Sequence, residues 1–222
     1  MPAGGDPIEL SVVVPAYNEE KRIGECLRRV QAFMVLKSWE WELVVVSGGR
    51  ADGTNRIVQD VLEKRRDKRV RLIVLERNEG KGMALRRGVM EAEGRIILIT
   101  DAGLPAPIKE CEKLIAALEA GCDVATGSRV LKEVGCDVQQ SPGRFLARRA
   151  FHWLIRPWAP KGIHDTQCGF RCFKRAAARE IFSSLGPSIF GYDAKALCLA
   201  RKKGFKINEV PVMWREVSGR AL

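Results

Sequence analysis

The stretch Arg95-Ile96-Ile97-Leu98-Ile99-Thr100-Asp101-Ala102-Gly103-Leu104-Pro105 decides how the rest of the chain is read. Its apolar, mostly β-branched run lies between Gly94 and a following Gly and Pro, which suits a short strand buried on both faces. Asp101 then stands at the carboxyl end of that strand, the edge of an open α/β sheet where loops and helix N-termini converge on ligands. An acid there is a candidate metal ligand or charge handler. The alternative is a cap for the helix that begins near Pro107.

Working outward, the same pattern recurs. Leu10-Ser11-Val12-Val13-Val14 reads as a first buried strand closed by Pro15, with an amphipathic helix opening at Asn18-Glu19-Glu20 and carrying Ile23, Cys26, Leu27, Val30 and Phe33. Glu42 to Val46 is a second strand, followed by Ser47-Gly48-Gly49-Arg50-Ala51-Asp52-Gly53-Thr54 and a helix through about Arg66. Val70 to Leu75 is a third, and Asn78-Glu79-Gly80-Lys81-Gly82 leads into a helix from about Met83. The strand ending at Asp101 is the fourth, and Asp123 to Arg129 is a fifth that brings an arginine to the same edge. There Arg129 is either a phosphate clamp or a solvent-exposed loop residue. Ile163 to Phe173 reads as a hairpin edge, and Phe205 to Pro211 as a final strand. Short apolar strands alternating with helices predict βαβ units, hence a Rossmann-like α/β/α sandwich with a mostly parallel central sheet. Neither GxGxxG after the first strand nor GxxxxGK[ST] is present, which disfavours ordinary dinucleotide and P-loop sites.

The totals narrow the class of function. The 222 residues hold 38 Lys and Arg against 27 Asp and Glu, a formal charge of +11, so an anionic partner such as a nucleotide, a nucleic acid or a lipid surface is indicated alongside a merely soluble basic surface. Seven scattered cysteines without a CxxC pair read as reduced thiols, and a zinc site is disfavoured. Met1 to Pro7 does not read as a leader, and no apolar run reaches the length of a membrane span. From Ser141 onward Phe145, Phe151, Trp153 and Trp158 interleave with Arg144, Arg148, Arg149 and Arg156. That texture predicts either an interfacial helix on anionic headgroups or a core helix with a cationic face. No nucleic-acid-binding motif accompanies it.

Six segments occur in a telling order: Val12-Val13-Val14-Pro15-Ala16-Tyr17-Asn18-Glu19, Asp52-Gly53-Thr54, Asn78-Glu79-Gly80-Lys81-Gly82, Thr100-Asp101-Ala102, Gly127-Ser128-Arg129 and Asp165-Thr166-Gln167-Cys168-Gly169-Phe170. Together they resemble the family 2 glycosyltransferases of GT-A fold, in particular those that load sugars onto polyprenyl phosphates, typified by dolichyl-phosphate β-glucosyltransferases and dolichol-phosphate mannose synthases. The resemblance implies a GT-A domain over residues 8–214, with a nucleotide-binding half at 8–104 and an acceptor half at 105–214 containing the basic aromatic helix at about 142–158. Residues 1–7 and 215–222 are then tails.

The resemblance also implies roles. Pro15, Tyr17 and Glu19 border the nucleoside, Asp52 holds loop or base, and Lys81 approaches the nucleotide. Asp101 is the first acid of a DxD motif gripping Mg or Mn on the diphosphate. Arg129 and Gln167 face the sugar or acceptor phosphate, and Asp193 belongs to the catalytic set. The expected partners are a UDP- or GDP-sugar, a polyprenyl-phosphate acceptor and a membrane surface met peripherally from the cytoplasm, with no nucleic acid.

The chain departs from the family's pattern in three places. Where the family has Asp-Asp-Gly-Ser, this chain has Ser47-Gly48-Gly49-Arg50. Gly103 replaces the second acid of the DxD motif, and Lys195 stands where glucosyltransferases of the family carry a Glu. These departures lead to an expectation of inverting sugar transfer with weak or no metal dependence, Arg50, Lys81, Arg129 or Lys195 neutralising the diphosphate. The alternative is a scaffold that has lost transfer and binds a sugar nucleotide or a partner.

Overall fold

The computed structural model describes residues 8–49, 52–65, 67–131, 138–139, 162–186 and 191–215. Its strands are β1 (Leu10–Ala16), β2 (Trp41–Ser47), β3 (Val70–Val74), β4 (Ile96–Ile99), β5 (Val124–Ser128), β6 (Val138–Gln139), β7 (Arg171–Lys174), β8 (Ile207–Pro211) and β9 (Trp214–Arg215). The helices are α1 (Ile23–Met34), α2 (Thr54–Arg65), α3 (Lys81–Glu91), α4 (Cys111–Glu119), α5 (Arg175–Ser183) and α6 (Tyr192–Lys202). Seven strands form one sheet in the order β3-β2-β1-β4-β7-β5-β8, and β6 pairs with β9 outside it.

Why β1 is apolar throughout follows from its neighbours. Successive side chains of a strand point to opposite faces, and both faces are covered. Val12 and Val14 join α1, α2 and α4 in one core with Ile23, Leu27, Val58 and Leu114, whereas Val13 joins α3, α5 and α6 in the other with Leu85, Ala178 and Leu197. The strand continues through Pro15 to Ala16 rather than stopping at Pro15, and Pro15 pairs with Val46 near the end of the ladder. Helix α1 begins only at Ile23, after Asn18 in the left-handed region (φ 55°) and a turn closed by Arg22 N–H on the Glu19 carbonyl. Helix α3 begins at Lys81, one half-turn before the expected start.

The hairpin expected at 163–173 is not an edge feature. Strand β7 lies inside the sheet, antiparallel to both β4 and β5, with Phe173 and Cys172 fully buried. A four-residue strand with charged ends and an apolar middle, Arg-Cys-Phe-Lys, has the same pattern at an edge or in the middle, and only the pairing partners tell them apart. This reversal matters for the site, because it turns the start of β7 toward the carboxyl ends of β1, β4 and β5. The basic aromatic segment about 142–158, together with Arg50 and the two tails beyond 8–215, lies outside the described residues. Among the described residues no helix is long and apolar enough to cross a membrane.

At the opposite end of the sheet a buried carboxylate ties three elements together. Glu42 accepts bonds from Ser11 Oγ (2.5 Å), the Glu93 N–H (2.6 Å) and the Arg71 guanidinium (2.6 Å), and its side chain is 4% exposed. Removing it would leave a half-buried guanidinium and two further donors without their acceptor. Glu42→Ala is therefore expected to lower unfolding free energy by about 3 kcal/mol in urea titration and to leave ligand affinity at the Asp101 edge unchanged, since the network sits at the far end of the strands from it.

Candidate active site

Register alone brings the first contact about. Ile99 pairs with Arg171 across the β4–β7 ladder, so continuing two residues places Gly169 opposite Asp101. A Cβ at position 169 would lie 3.2 and 3.4 Å from the two Asp101 carboxylate oxygens and 3.4 Å from Lys81 Nζ. Bare backbone is what lets the loop close over this pair. Lys81, the first residue of α3, places its ammonium on Asp101 Oδ1 and lies 5.4 Å over the Tyr192 ring. The alternative of Asp101 as a helix cap is not what the structure shows, since the turn after Pro107 has no side-chain cap.

Asp193, in the first turn of α6, comes to the same edge. Burial pushes its carboxyl up, Arg171 and Lys81 pull it back, and Asp101 adds to the upward push. Arg171 is buried and fastens four pieces at once. Its Nε donates to Thr126 Oγ (3.2 Å), Nη1 to the Asp193 carbonyl (2.7 Å) and Nη2 to the Thr166 carbonyl (2.7 Å), and Nη1 lies 3.4 Å from the Asp193 carboxylate.

Arg129 leaves the end of β5 but is not a solvent-exposed loop residue. Its guanidinium forks onto Asp165 (2.7 and 2.8 Å) and stacks 4.9 Å from the Trp214 ring, with side-chain exposures of 9% for Arg129 and 1% for Asp165. Asp165 also accepts the N–H groups of Arg129 and Gln167. The pair holds the 165–170 segment in place, with Gln167 half-buried at its turn. Cys168 in the same segment is fully buried, and burial pushes its thiol up to about 12, which removes it as a nucleophile near neutral pH.

The donor-side loops are held by their own acids. Asp52 accepts the Glu20 N–H (3.1 Å) and the Thr54 N–H (3.0 Å). Burial pushes its carboxyl up, but these bonds outweigh that and the group titrates below the usual carboxylate range. Asp52 thereby ties the turn after β1 to the start of α2. Glu19 pairs with Arg22 (2.6 Å) while its N–H donates to Thr54 Oγ (2.9 Å). Tyr17 is 45% exposed. A Cβ at Gly48 would lie 3.3 Å from both Tyr17 Cδ2 and Asn78 Oδ1, so the position where the family carries an acid is here closed down by its neighbours. Lys195 is exposed on α6.

A divalent cation needs several oxygen ligands. Gly103 supplies no side chain, the Asp101 carboxylate carries an ammonium, and among the described residues no group of three His, Cys, Asp or Glu converges. Of the two acids in the DxD pattern only Asp101 is present to meet a metal on a diphosphate, and it already carries an ammonium. Sequence reasoning passed over Gly169, Arg171, Tyr192 and the Asp165 partner of Arg129. The first and last lie inside a quoted motif, but nothing local says what they face.

Gly169→Ala gives a direct check on the close approach. The new methyl would meet the ends of two flexible side chains, so Tm is expected to fall by less than about 3 °C. Activity at this edge should fall by about tenfold as Asp101 and Lys81 are pushed apart. A calorimetric scan and an activity assay on one preparation read both.

The seven-stranded sheet gathers Asp101, Lys81, Asp193 and the 165–170 loop at its strand ends, the edge where ligands bind in sheets of this kind. The protein-family model described as glycosyl transferase family 2 matches residues 11–182, and the chain belongs to that family. Its relatives include the dolichyl-phosphate beta-glucosyltransferases of Drosophila melanogaster, 36% identical over 97% of this chain and 69% of that protein, and of Homo sapiens, 35% identical over 96% and 69%. Among solved structures, glucosyl-3-phosphoglycerate synthase from Mycobacterium tuberculosis in complex with UDP shares the fold with TM-score 0.66, at 22% identity over 96% of this chain and 73% of that one. The mannosyltransferase PcManGT from Pyrobaculum calidifontis, solved with GDP-Man and Mn2+, has TM-score 0.62 at 23% identity over 96% and 58%.

Proposed function

We propose that this chain transfers a hexosyl group from a UDP- or GDP-sugar to a polyprenyl phosphate of the dolichyl type, in one inverting displacement with weak or no dependence on Mg or Mn. The observation that carries the reading is the Asp101–Lys81 pair under Gly169 at the sheet's ligand edge, in a chain whose relatives are dolichyl-phosphate beta-glucosyltransferases. In the reaction an oxygen of the lipid phosphate attacks C1 of the sugar. The bond from C1 to the diphosphate oxygen breaks, and its electron pair leaves on the nucleoside diphosphate. Attack from the face opposite the leaving group inverts C1.

The acceptor needs no strong base, because the second ionisation of a phosphate monoester lies near pH ~6. Asp193, tied to Arg171, accordingly orients groups rather than taking a proton. Pro15, Tyr17 and Glu19 border the nucleoside, and Asp52 keeps their loop in place. Arg129 acts through the 165–170 segment, which offers Gln167 to the sugar or acceptor phosphate. A lipid acceptor implies peripheral association with a membrane, on its cytoplasmic side, with no nucleic-acid partner. The second reading, a scaffold that binds a sugar nucleotide without transferring, is favoured by the missing acids at Gly48 and Gly103.

The test supplies UDP-glucose or GDP-mannose with dolichyl phosphate in detergent, in Mn2+ and in EDTA. Sugar appearing on the lipid with inverted C1 supports the first reading. Donor binding without lipid product, across both donors, leaves the second.

A further inference from the structure

We infer that Glu209 is a positioning residue for sugar transfer, fixing through two backbone bonds where the 165–170 segment lies against Asp101. This rests on the transfer reading above and deepens it. Glu209 stands on β8, the edge strand of the sheet, 44 residues after Asp165 and outside all the motif segments. Its carboxylate is nevertheless turned inward, with the side chain 4% exposed. Oε1 accepts the Asp165 N–H (2.7 Å) and Oε2 the His164 N–H (2.8 Å), while the His164 ring sets Nδ1 3.0 Å from Oε2. The ring is 60% exposed, so the two backbone N–H groups do the holding. A buried carboxylate is costly, and an apolar side chain would fill an edge strand at less cost. What accounts for an acid here is the chain it holds.

The register of the sheet makes that hold firm. Glu209 pairs with Thr126 across β8 and β5, and Thr126 pairs with Arg171 across β5 and β7. Residues opposite one another in a ladder send their side chains to the same face, and Arg171 Nε accordingly reaches Thr126 Oγ (3.2 Å). One row of the sheet therefore presents an acid and a base on one face. The acid takes the N–H groups of residues 164 and 165, and the base takes the Thr166 carbonyl (2.7 Å). Arg129 takes the Asp165 side chain from a third direction. Three residues beyond Thr166, Gly169 lies against the Asp101 carboxylate. Losing Glu209 frees the segment at its entry and leaves the Asp101–Lys81 pair and the Asp52 loop with their own bonds. The fault is then one of geometry at the reacting centre, where a misplacement of about 1 Å costs about 10²-fold in rate.

The experiment compares Glu209→Leu, Glu209→Gln and His164→Ala with the wild type in the full chain. It reads transfer from UDP-glucose or GDP-mannose to dolichyl phosphate per folded molecule, calorimetric affinity for UDP and GDP, and Tm. Glu209→Leu is expected to lower kcat by about 10²-fold while nucleotide affinity changes by less than about threefold. Glu209→Gln keeps one acceptor oxygen of the two and should lose about three- to tenfold in kcat, again without loss of nucleotide affinity. His164→Ala keeps its backbone N–H and should turn over within about twofold of the wild type.

A folded Glu209→Leu that turns over like the wild type, whatever its fall in Tm, overturns the inference and leaves the transfer reading standing. Equal loss of nucleotide affinity and kcat, or a His164→Ala as slow as Glu209→Leu, overturns it in the same way. Should Glu209→Leu not fold, Glu209→Gln decides, and a wild-type kcat in that variant overturns the inference. No lipid product from the wild type with either donor overturns the transfer reading and the inference with it.

Discussion

Asp101→Ala is expected to lower transfer at saturating donor by about 10³-fold, the scale seen when one preorganised electrostatic group is removed. Asp101 does two things at this edge. It fixes the Lys81 ammonium at the end of β4, and it lies directly against the Gly169 backbone. Without it the lysine keeps its charge but loses its place. Nucleotide affinity should therefore change only a few-fold while kcat collapses, because a mobile ammonium still attracts a diphosphate but no longer meets the charge where it develops. The comparison of kcat with calorimetric affinity on one preparation reads this split. Turnover within a few-fold of wild type would remove Asp101 from the mechanism. Equal loss in affinity and rate would mean that the carboxylate binds the donor rather than positions the cation.

The second large effect is on stability. Asp165→Ala leaves the Arg129 guanidinium buried against Trp214 without its counter-charge, and strips an acceptor from the N–H groups of Arg129 and Gln167. Breaking a buried pair from one side costs about 3–5 kcal/mol. In a domain of this size that corresponds to a fall in Tm of roughly 6–20 °C. Arg129→Met/Asp165→Leu removes both charges and should recover much of the loss, though not the part due to the two N–H groups. A single variant that melts with the wild type would show that the fork is not closed in solution. Because the same segment carries Gln167 and Gly169, a stable double variant with poor transfer would separate the segment's placement from its mere folding.

Much of this architecture was legible in residue order. The runs at 10–14, 42–46 and 96–99 had to be strands covered on both faces, since nothing polar interrupts them except Ser11 and Glu42. Those two exceptions turn out to be bonded to each other. Asp101 was legible as an edge acid because a strand end followed by Gly and Pro can only turn. The place of β7 was not legible. Four residues of the type Arg-Cys-Phe-Lys fit an edge or an interior strand equally well, and the choice depends on β4 and β5, which are distant in sequence. For the same reason Arg129 remained open between clamp and exposed loop until its partner across the fold came into view.

What the sequence by itself determined is most of the local elements, their α/β alternation, the family, and the chemical kinds of residue sent to the strand ends. These follow from periodicity, turn residues and motif order, all of them short-range. What only the tertiary structure decided is which of those residues meet. Lys81 lies on Asp101, Gly169 lies over both, Arg129 forks onto Asp165, and Asp193 is tied to Arg171. Such pairings are set by the register and direction of strands far apart in the chain, and a reversal of β7 would carry residues 165–169 to the opposite end of the sheet.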